Sequence, residues 1–183
     1  ILVLGGIFGP QVAEFLRHDL DITVSSLDKL RQVEAAAQAM GRKAGVHLKI
    51  DTGMERIGVH SYSCAPFIEA AVASQHCALK GVYSHLACAD DPASPMTALQ
   101  VERFAEACAH FERLGAPVPP RHLANSGGVL HFPETWLDLV RPGIALYGVL
   151  PDPAAQRTIA LRPALALASQ VAYFTLVRAG YTV

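Results

Sequence analysis

Short apolar runs alternate along this chain with longer stretches whose apolar residues recur at helical spacing. Ile1–Leu4 is an unbroken apolar strand that stops at a Gly-Gly turn. Gln11–His18 predicts a short helix and Ile22–Val24 a second strand. Ser26 is placed to cap the next helix, where Leu27, Leu30, Val33, Ala37 and Met40 share one face and Gly41 marks the end. Val46–Ile50 is the third strand. Pro66 suits the first turn of a helix that runs to about Ser74, and Lys80–Ser84 is the fourth strand. After Pro95 comes a long helix with Val101, Phe104, Cys108 and Phe111 on its buried stripe and Gly115 at its close. Arg121–Ala124 is the fifth strand. Leu139–Val140 into Ile144–Tyr147, interrupted by Pro142-Gly143, is the sixth, with Tyr147 as a core residue.

Near-continuous apolar strands alternating with helices predict an α/β fold, a parallel sheet covered by helices. No G-x-G-x-x-G follows the first strand, which counts against a dinucleotide-binding sheet. Polar residues gather just after the strands: Asp51-Thr-Gly53, His85, Asn125-Ser126 and Arg141. Functional groups at the C-terminal ends of successive strands mark a (β/α)8 TIM-type barrel, here incomplete, with about six of eight βα units countable. After Leu150 the pattern changes. Pro151, Pro153 and an Ala-rich segment read as a linker, Leu165–Phe174 as a long strand, and Arg178-Ala-Gly-Tyr181 as a turn. The expected division is a partial barrel over residues 1–150, then a linker and the first strand of a second β domain over 151–183.

One strand breaks the apolar rule. Alternation along it puts His47, Lys49 and Asp51 on one face and Leu48 and Ile50 on the other. Lys and Asp are almost never buried unless paired, and Arg56 is the natural partner in sequence. The rest of the composition narrows the field. The chain has 183 residues and a net charge of −1, with 51% hydrophobic and 17% charged residues. No basic stripe is present, which argues against nucleic acid or an anionic membrane surface as partner. No signal peptide or membrane-spanning run is visible. Cys64, Cys77, Cys88 and Cys108 form no C-x-x-C pair and read as reduced cytosolic thiols, mostly in the core. His18, His60, His76, His110 and His131 read as surface or turn residues. Asp90-Asp91 precedes Pro92 in a loop, where solvated turn residues are the simpler reading, and no metal site is expected. The absence of an initiator Met, a start inside an apolar strand, and a stop at Tyr181-Thr-Val183 on the way into another strand lead to the expectation of a segment of a longer protein.

Four motifs occur in order: His47-Leu-Lys-Ile-Asp-Thr-Gly-Met-Glu-Arg-Ile-Gly-Val59, Tyr83-Ser-His-Leu-Ala-Cys-Ala-Asp90, His122-Leu-Ala-Asn-Ser126 and Val140-Arg-Pro-Gly-Ile-Ala-Leu-Tyr-Gly148. Together, over essentially the whole chain, they resemble the alanine racemase family, pyridoxal 5'-phosphate (PLP) enzymes with an N-terminal barrel and a C-terminal β domain. The resemblance implies a homodimeric cytoplasmic isomerase that interconverts L- and D-alanine for peptidoglycan precursor supply. It also implies roles for individual residues. Lys49 matches a lysine carbamylated in many members, and the carbamate would pair with Arg56. Arg56 matches the arginine that touches the PLP phenolic oxygen and the substrate carboxylate. Arg141 matches the arginine facing the pyridine nitrogen, with His122 behind it. Ser126, Gly143 and Ile144 match phosphate contacts, and His85 and Asn125 match residues lining the ring.

Two family residues have no match here. The lysine that holds the cofactor covalently lies in a Val-Lys-Ala-Asn-Ala-Tyr-Gly-like motif on the first barrel strand, expected upstream of Ile1. The tyrosine that serves as second base lies in a Gly-Tyr-Gly-Asp-Gly-like motif expected beyond Val183, and Tyr181 does not replace it. No catalytic residue is therefore expected in this segment, which is expected to be inactive alone. Two other readings remain open at this stage: a broad-specificity amino-acid racemase, and a non-enzymatic PLP-binding barrel. An unrelated barrel enzyme is supported by the fold alone.

Overall fold

A computed structural model of the chain describes residues 1–152 and 159–181. In chain order its elements are β1 (Leu2–Val3), α1 (Val12–Arg17), β2 (Asp21–Val24), α2 (Leu27–Ala39), β3 (Ala44–Asp51), β4 (Val59–His60), α3 (Ala65–Ala73), β5 (Cys77–Tyr83), α4 (Met96–Arg113), β6 (Arg121–His122), α5 (Ser126–His131) and α6 (Gly143–Leu146). Five strands stand side by side in the order β1-β2-β3-β5-β6, every pair parallel. Each connection between successive neighbours is long enough to cross back over the sheet, which parallel pairing requires. The result is part of a (β/α)8 barrel wall. β4 lies off this path and pairs in parallel with the C-terminal end of β3.

The apolar spacing explains why the helices dock. On α2, Leu30, Val33 and Ala37 are buried; α3 buries Phe67, Ile68 and Ala71; α4 buries Phe104, Cys108 and Phe111. They meet Ile22, Val24, Val46, Leu48 and Ile50 of the sheet, all without exposed surface. Local signals set the helix ends. The Ser26 hydroxyl accepts the Lys29 N–H at 3.0 Å and so satisfies one of the unpaired donors at the start of α2. Pro66 sits in the first turn of α3. Gly41 and Gly115 follow α2 and α4 with φ of 61° and 66°, a conformation other residues adopt at a cost. Cys64, Cys77, Cys88 and Cys108 are free thiols, all but Cys88 buried.

The C-terminal third corrects the expected elements. The sixth strand does not form as read. Leu139 makes one isolated parallel bridge to His122, and Asp138 and Arg141 donate backbone N–H groups to the carbonyls of Arg121 and Ala124. Pairing then ends, because Pro142 has no N–H to offer. The chain turns at Pro142 (φ −76°, ψ 75°) with the Gly143 N–H bonded to the Arg141 carbonyl, an inverse γ-turn, and Ile144 enters α6 instead of a strand. Tyr147 is consequently 65% exposed and not a core residue. Leu165–Phe174, expected as a strand, has no pairing partner among the described residues and stays exposed, since apolar alternation alone cannot supply ladder hydrogen bonds. The turn at Arg178–Tyr181 does form, closed by the Tyr181 N–H on the Arg178 carbonyl. Pro153 and most of the Ala-rich linker lie outside the described residues, as do Thr182 and Val183.

The Ser26 cap gives a direct check. Ser26→Ala should lower the unfolding free energy by about 1 kcal/mol, read as a shift in the denaturant midpoint with unchanged slope.

Candidate functional site: a cationic wall at the strand ends

The C-terminal ends of β3, β5 and β6 bring Lys49, Asp51, His85, His122, Asn125, Ser126 and Arg141 to one end of the sheet. Arg141 is the centre of this group. Its Nη1 donates to His122 Nδ1 at 2.8 Å, and its Nη2 donates to the carbonyls of Ser84 at 2.7 Å and Leu123 at 3.3 Å. The guanidinium lies 5.1 Å from the centre of the Tyr83 ring, and Lys49 Nζ lies 5.4 Å from the same ring. Tyr83 in turn stacks on His122, with centroids 4.6 Å apart. Two cations therefore lie near one aromatic ring, a cation–π arrangement that offsets part of their desolvation. Burial lowers Arg141 to about 10, which leaves it charged at neutral pH.

Arginine only donates, and this fixes the tautomers behind it. His122 Nδ1 must be an acceptor, so the proton of neutral His122 sits on Nε2. That nitrogen is 2.9 Å from His47 Nδ1, which must then accept. The proton of neutral His47 is on Nε2, 4.0 Å from an Asp21 carboxylate oxygen. Burial, Arg141, His47 and Lys49 together lower His122 to about 3, and burial likewise lowers His47 against the opposing pull of Asp21. Both rings are neutral at neutral pH. Gly81 of β5 makes this pair possible: a Cβ there would lie 2.3 Å from His47 Nδ1 and 3.1 Å from His122 Nε2.

Lys49 is buried, and its Nζ donates to the Ile50 carbonyl at 3.0 Å. Burial, partly countered by Asp51 and reinforced by Arg141 and Arg56, lowers the amine to about 8. Asp51 finds a partner other than the expected one. Its carboxylate accepts the backbone N–H groups of Gly53, Met54 and Arg56 at 2.8, 3.0 and 3.2 Å. Burial alone would raise its pKa; the turn's donors and the Lys49 charge outweigh that and lower it. Arg56 thus closes the turn through its backbone, and its side chain is exposed, yet its charge is felt at Lys49, Tyr83 and His85. Gly58 brings the loop back against β3, where a Cβ would meet the Lys49 carbonyl at 2.9 Å. Asp51, Glu55 and His60 each bring one ligand atom within 4.8 Å of the others. The three N–H groups on Asp51 give this carboxylate a role in closing the turn.

His85 is half-buried; burial first, then the charges of Arg141, Arg56 and Lys49, lower it to about 4. Asn125 caps α5: its Oδ1 accepts the Gly128 N–H at 3.0 Å and its Nδ2 donates to the Leu86 carbonyl at 3.0 Å. One lone pair and one N–H of the carboxamide are left over. The Ser126 hydroxyl accepts the Ala145 N–H at 3.1 Å, tying the start of α5 to the start of α6. The N–H groups of Ser126, Gly127 and Ile144 make no hydrogen bond among the described residues, and the Cβ position of Gly143 faces open space. Unspent N–H groups at paired helix starts suit an anion.

Residues 1–151 match the family model described as "Alanine racemase, N-terminal domain". The chain belongs to the alanine racemase family. Among alanine racemases, that of Chlorobaculum tepidum is 39% identical over 166 residues, covering 91% of this chain and 43% of its own length. That of Beutenbergia cavernae is 44% identical over 169 residues, covering 89% and 44%. The structure of the Clostridium difficile alanine racemase in complex with cycloserine superposes with a TM-score of 0.85 at 29% identity, covering 89% of this chain and 45% of that one. This chain therefore spans about half the length of the alanine racemases it matches. Among its described residues, no helix is long and apolar enough to cross a membrane.

The structure also groups Tyr83, Thr52 and Ser84, which lie in the sequence motifs without an individual role there, and Gly81 and Gln100, which lie outside them. Gly81 carried a usable signal, since a glycine inside a strand marks close approach of another group. His47 was on the right face but was given no role.

The lowered pKa values set a pH dependence. In the unfolded chain a histidine protonates below its ordinary 6.5, whereas His122 resists protonation until about 3 and His85 until about 4. The unfolded state binds more protons across that window, so stability from these groups is complete above pH 6.5 and lost as pH falls toward 3. Denaturant midpoints between pH 7 and 4 should fall less steeply for His122→Gln than for the unsubstituted chain; parallel slopes would contradict the assignment.

Proposed function

We propose that this chain is the cofactor-orienting part of the barrel of a PLP-dependent racemase that, as a whole protein, interconverts L- and D-alanine. The observation that carries the reading is the state of Arg141. It is charged and anchored by three acceptors, with neutral His122 behind it and its Nε–H and one Nη1–H without a partner among the described residues. Such a donor suits the pyridine nitrogen and holds it unprotonated, because a guanidinium has no proton to give up at neutral pH. The N–H groups of Ser126 and Ile144, beside the open Gly143, suit the phosphate. His85 and Asn125 would line the ring, and Arg56 would address the substrate carboxylate and the phenolic oxygen.

When bound, PLP spreads the negative charge left at Cα after proton removal. This chain's residues contribute orientation and charge. With its donor at the pyridine nitrogen, Arg141 would leave the ring a weak electron sink, which would favour return of the proton over side transamination. The two bases, a lysine and a tyrosine in the family's motifs, belong to other parts of the whole protein, so the 183-residue chain alone is inactive. The reading extends to a homodimer in the cytoplasm that supplies D-alanine for cell-wall precursors. It also places residues 1–150 in the barrel and 151–183 at the entry to a β domain.

The direct test is the conversion of L-alanine to D-alanine by the whole protein with PLP, beside this chain alone. Turnover of serine, lysine or arginine but not alanine would favour a broader racemase. PLP binding without turnover of any amino acid would favour a carrier.

We infer in addition that Lys49 is carbamylated. Its buried amine, lowered to about 8, is roughly a tenth neutral at pH 7, and only the neutral amine attacks CO2, releasing one proton as the N–C bond forms. The resulting anion would face the Arg56 charge. Under 13C-labelled bicarbonate the whole protein should show one carbamate carbon resonance that Lys49→Arg abolishes; its absence at every bicarbonate concentration would rule the modification out.

A further inference from the structure

α4 should need only apolar side chains to cover the sheet, and Phe104 and Phe111 meet that need. Gln100 does not. It has no exposed surface, and its carboxamide bonds three groups on two segments, the chain after β3 and the chain after β5. Oε1 accepts the Ala87 N–H at 2.8 Å; Nε2 donates to the Thr52 hydroxyl at 3.0 Å and to the His85 carbonyl at 3.0 Å. Thr52 Oγ1 is also hydrogen-bonded to Ser84 Oγ, 2.8 Å away, and this hydroxyl pair ties the end of β3 to the end of β5. The Ser84 carbonyl is the one that Arg141 Nη2 grips at 2.7 Å. One turn along α4, Arg103 Nη1 donates to the Thr52 carbonyl at 3.0 Å, so α4 holds residue 52 at both its oxygens.

We propose that Gln100 is a positioning residue for the cofactor wall: its carboxamide fixes the backbone that carries His85 and, through the Thr52–Ser84 hydroxyl pair, the carbonyl that orients Arg141. Gln100 acts entirely through these groups. The role rests on the racemase reading above and adds to it a residue outside the four motifs. A buried amide with both N–H groups and one carbonyl lone pair in use costs little in place, but it leaves several groups unpaired when one of its ends is changed. Its geometric consequence is the larger one, since a misplacement of about 1 Å at a reacting centre lowers rate by about a hundredfold.

The test uses the whole protein with Gln100→Glu, which keeps the shape and the acceptor for Ala87 but removes both donated protons. Four readouts are taken: kcat and KM for alanine, PLP affinity of the cofactor-free protein, and amide hydrogen exchange of residues 84–87. The expected result is a kcat loss of about a hundredfold with KM little changed, weaker PLP binding, and faster exchange at Ser84–Ala87. Thr52→Val, which keeps shape and removes only the hydroxyl, should lose kcat in the same direction, and Thr52→Ser should lose less. If Gln100→Glu does not fold, the Thr52 pair carries the test. Wild-type kcat, PLP affinity and exchange in the variants, with only a lower melting temperature, would overturn the proposal and leave the racemase reading standing. Should the unsubstituted protein neither bind PLP nor racemise, the functional reading fails instead, and unchanged exchange at residues 84–87 would then overturn the clamp by itself.

Discussion

A guanidinium taken out of water at the end of a sheet needs acceptors on several sides, and Arg141 draws them from the chain just after β5 and from β6 and its continuation. Those acceptors, the Ser84 and Leu123 carbonyls and His122 Nδ1, are in reach only if β5 and β6 end level with each other. The barrel's parallel register and the placement of this one charge are therefore the same constraint. The Tyr83 face, with Lys49 also near it, supplies the remaining compensation. Removing any one acceptor would leave a buried cation under-paired, which is far costlier than losing an exposed ion pair.

The same constraint explains why this wall is polar where a barrel interior is ordinarily apolar. His47, Lys49, Tyr83 and His122 occupy positions that branched aliphatic side chains would fill. Their polar atoms are almost all matched to one another or to backbone. Gly81 leaves the volume that the two imidazoles occupy. Such a cluster gives up packing for orientation, and the apolar face of the same strands, with Leu48, Ile50 and Val82, carries the stability.

Much of this was legible in the residues. α2, α3 and α4 declare themselves by repeated apolar spacing and by Ser26, Pro66 and Gly115 at their ends. The strand-end positions of Lys49, His85, Asn125, Ser126 and Arg141 were legible because polar residues directly after buried strands have few structural reasons to be there. The misses have a common cause in tertiary partners. Ile144–Tyr147 has the composition of a strand, but Pro142 turns it away from any neighbour. Asp51 had Arg56 as an apparent counter-charge, and the backbone of its own turn reached it first. Gln100 reads as a polar interruption of a helical stripe until the two segments it bonds, at Thr52 and at His85–Ala87, are assembled against it.

The donor-only character of Arg141 has one more effect. Each neutral imidazole has a dipole running from its bare Nδ1 to its protonated Nε2, and the bonding order places His122 and His47 head to tail. Their negative ends face the guanidinium, and their positive ends face Asp21. The two rings thus act as a polarised insulator between a cation at one end of the strands and a carboxylate at the other, easing the burial of both without moving a proton. Reversing that polarity would require the arginine to accept a hydrogen bond, which its chemistry forbids.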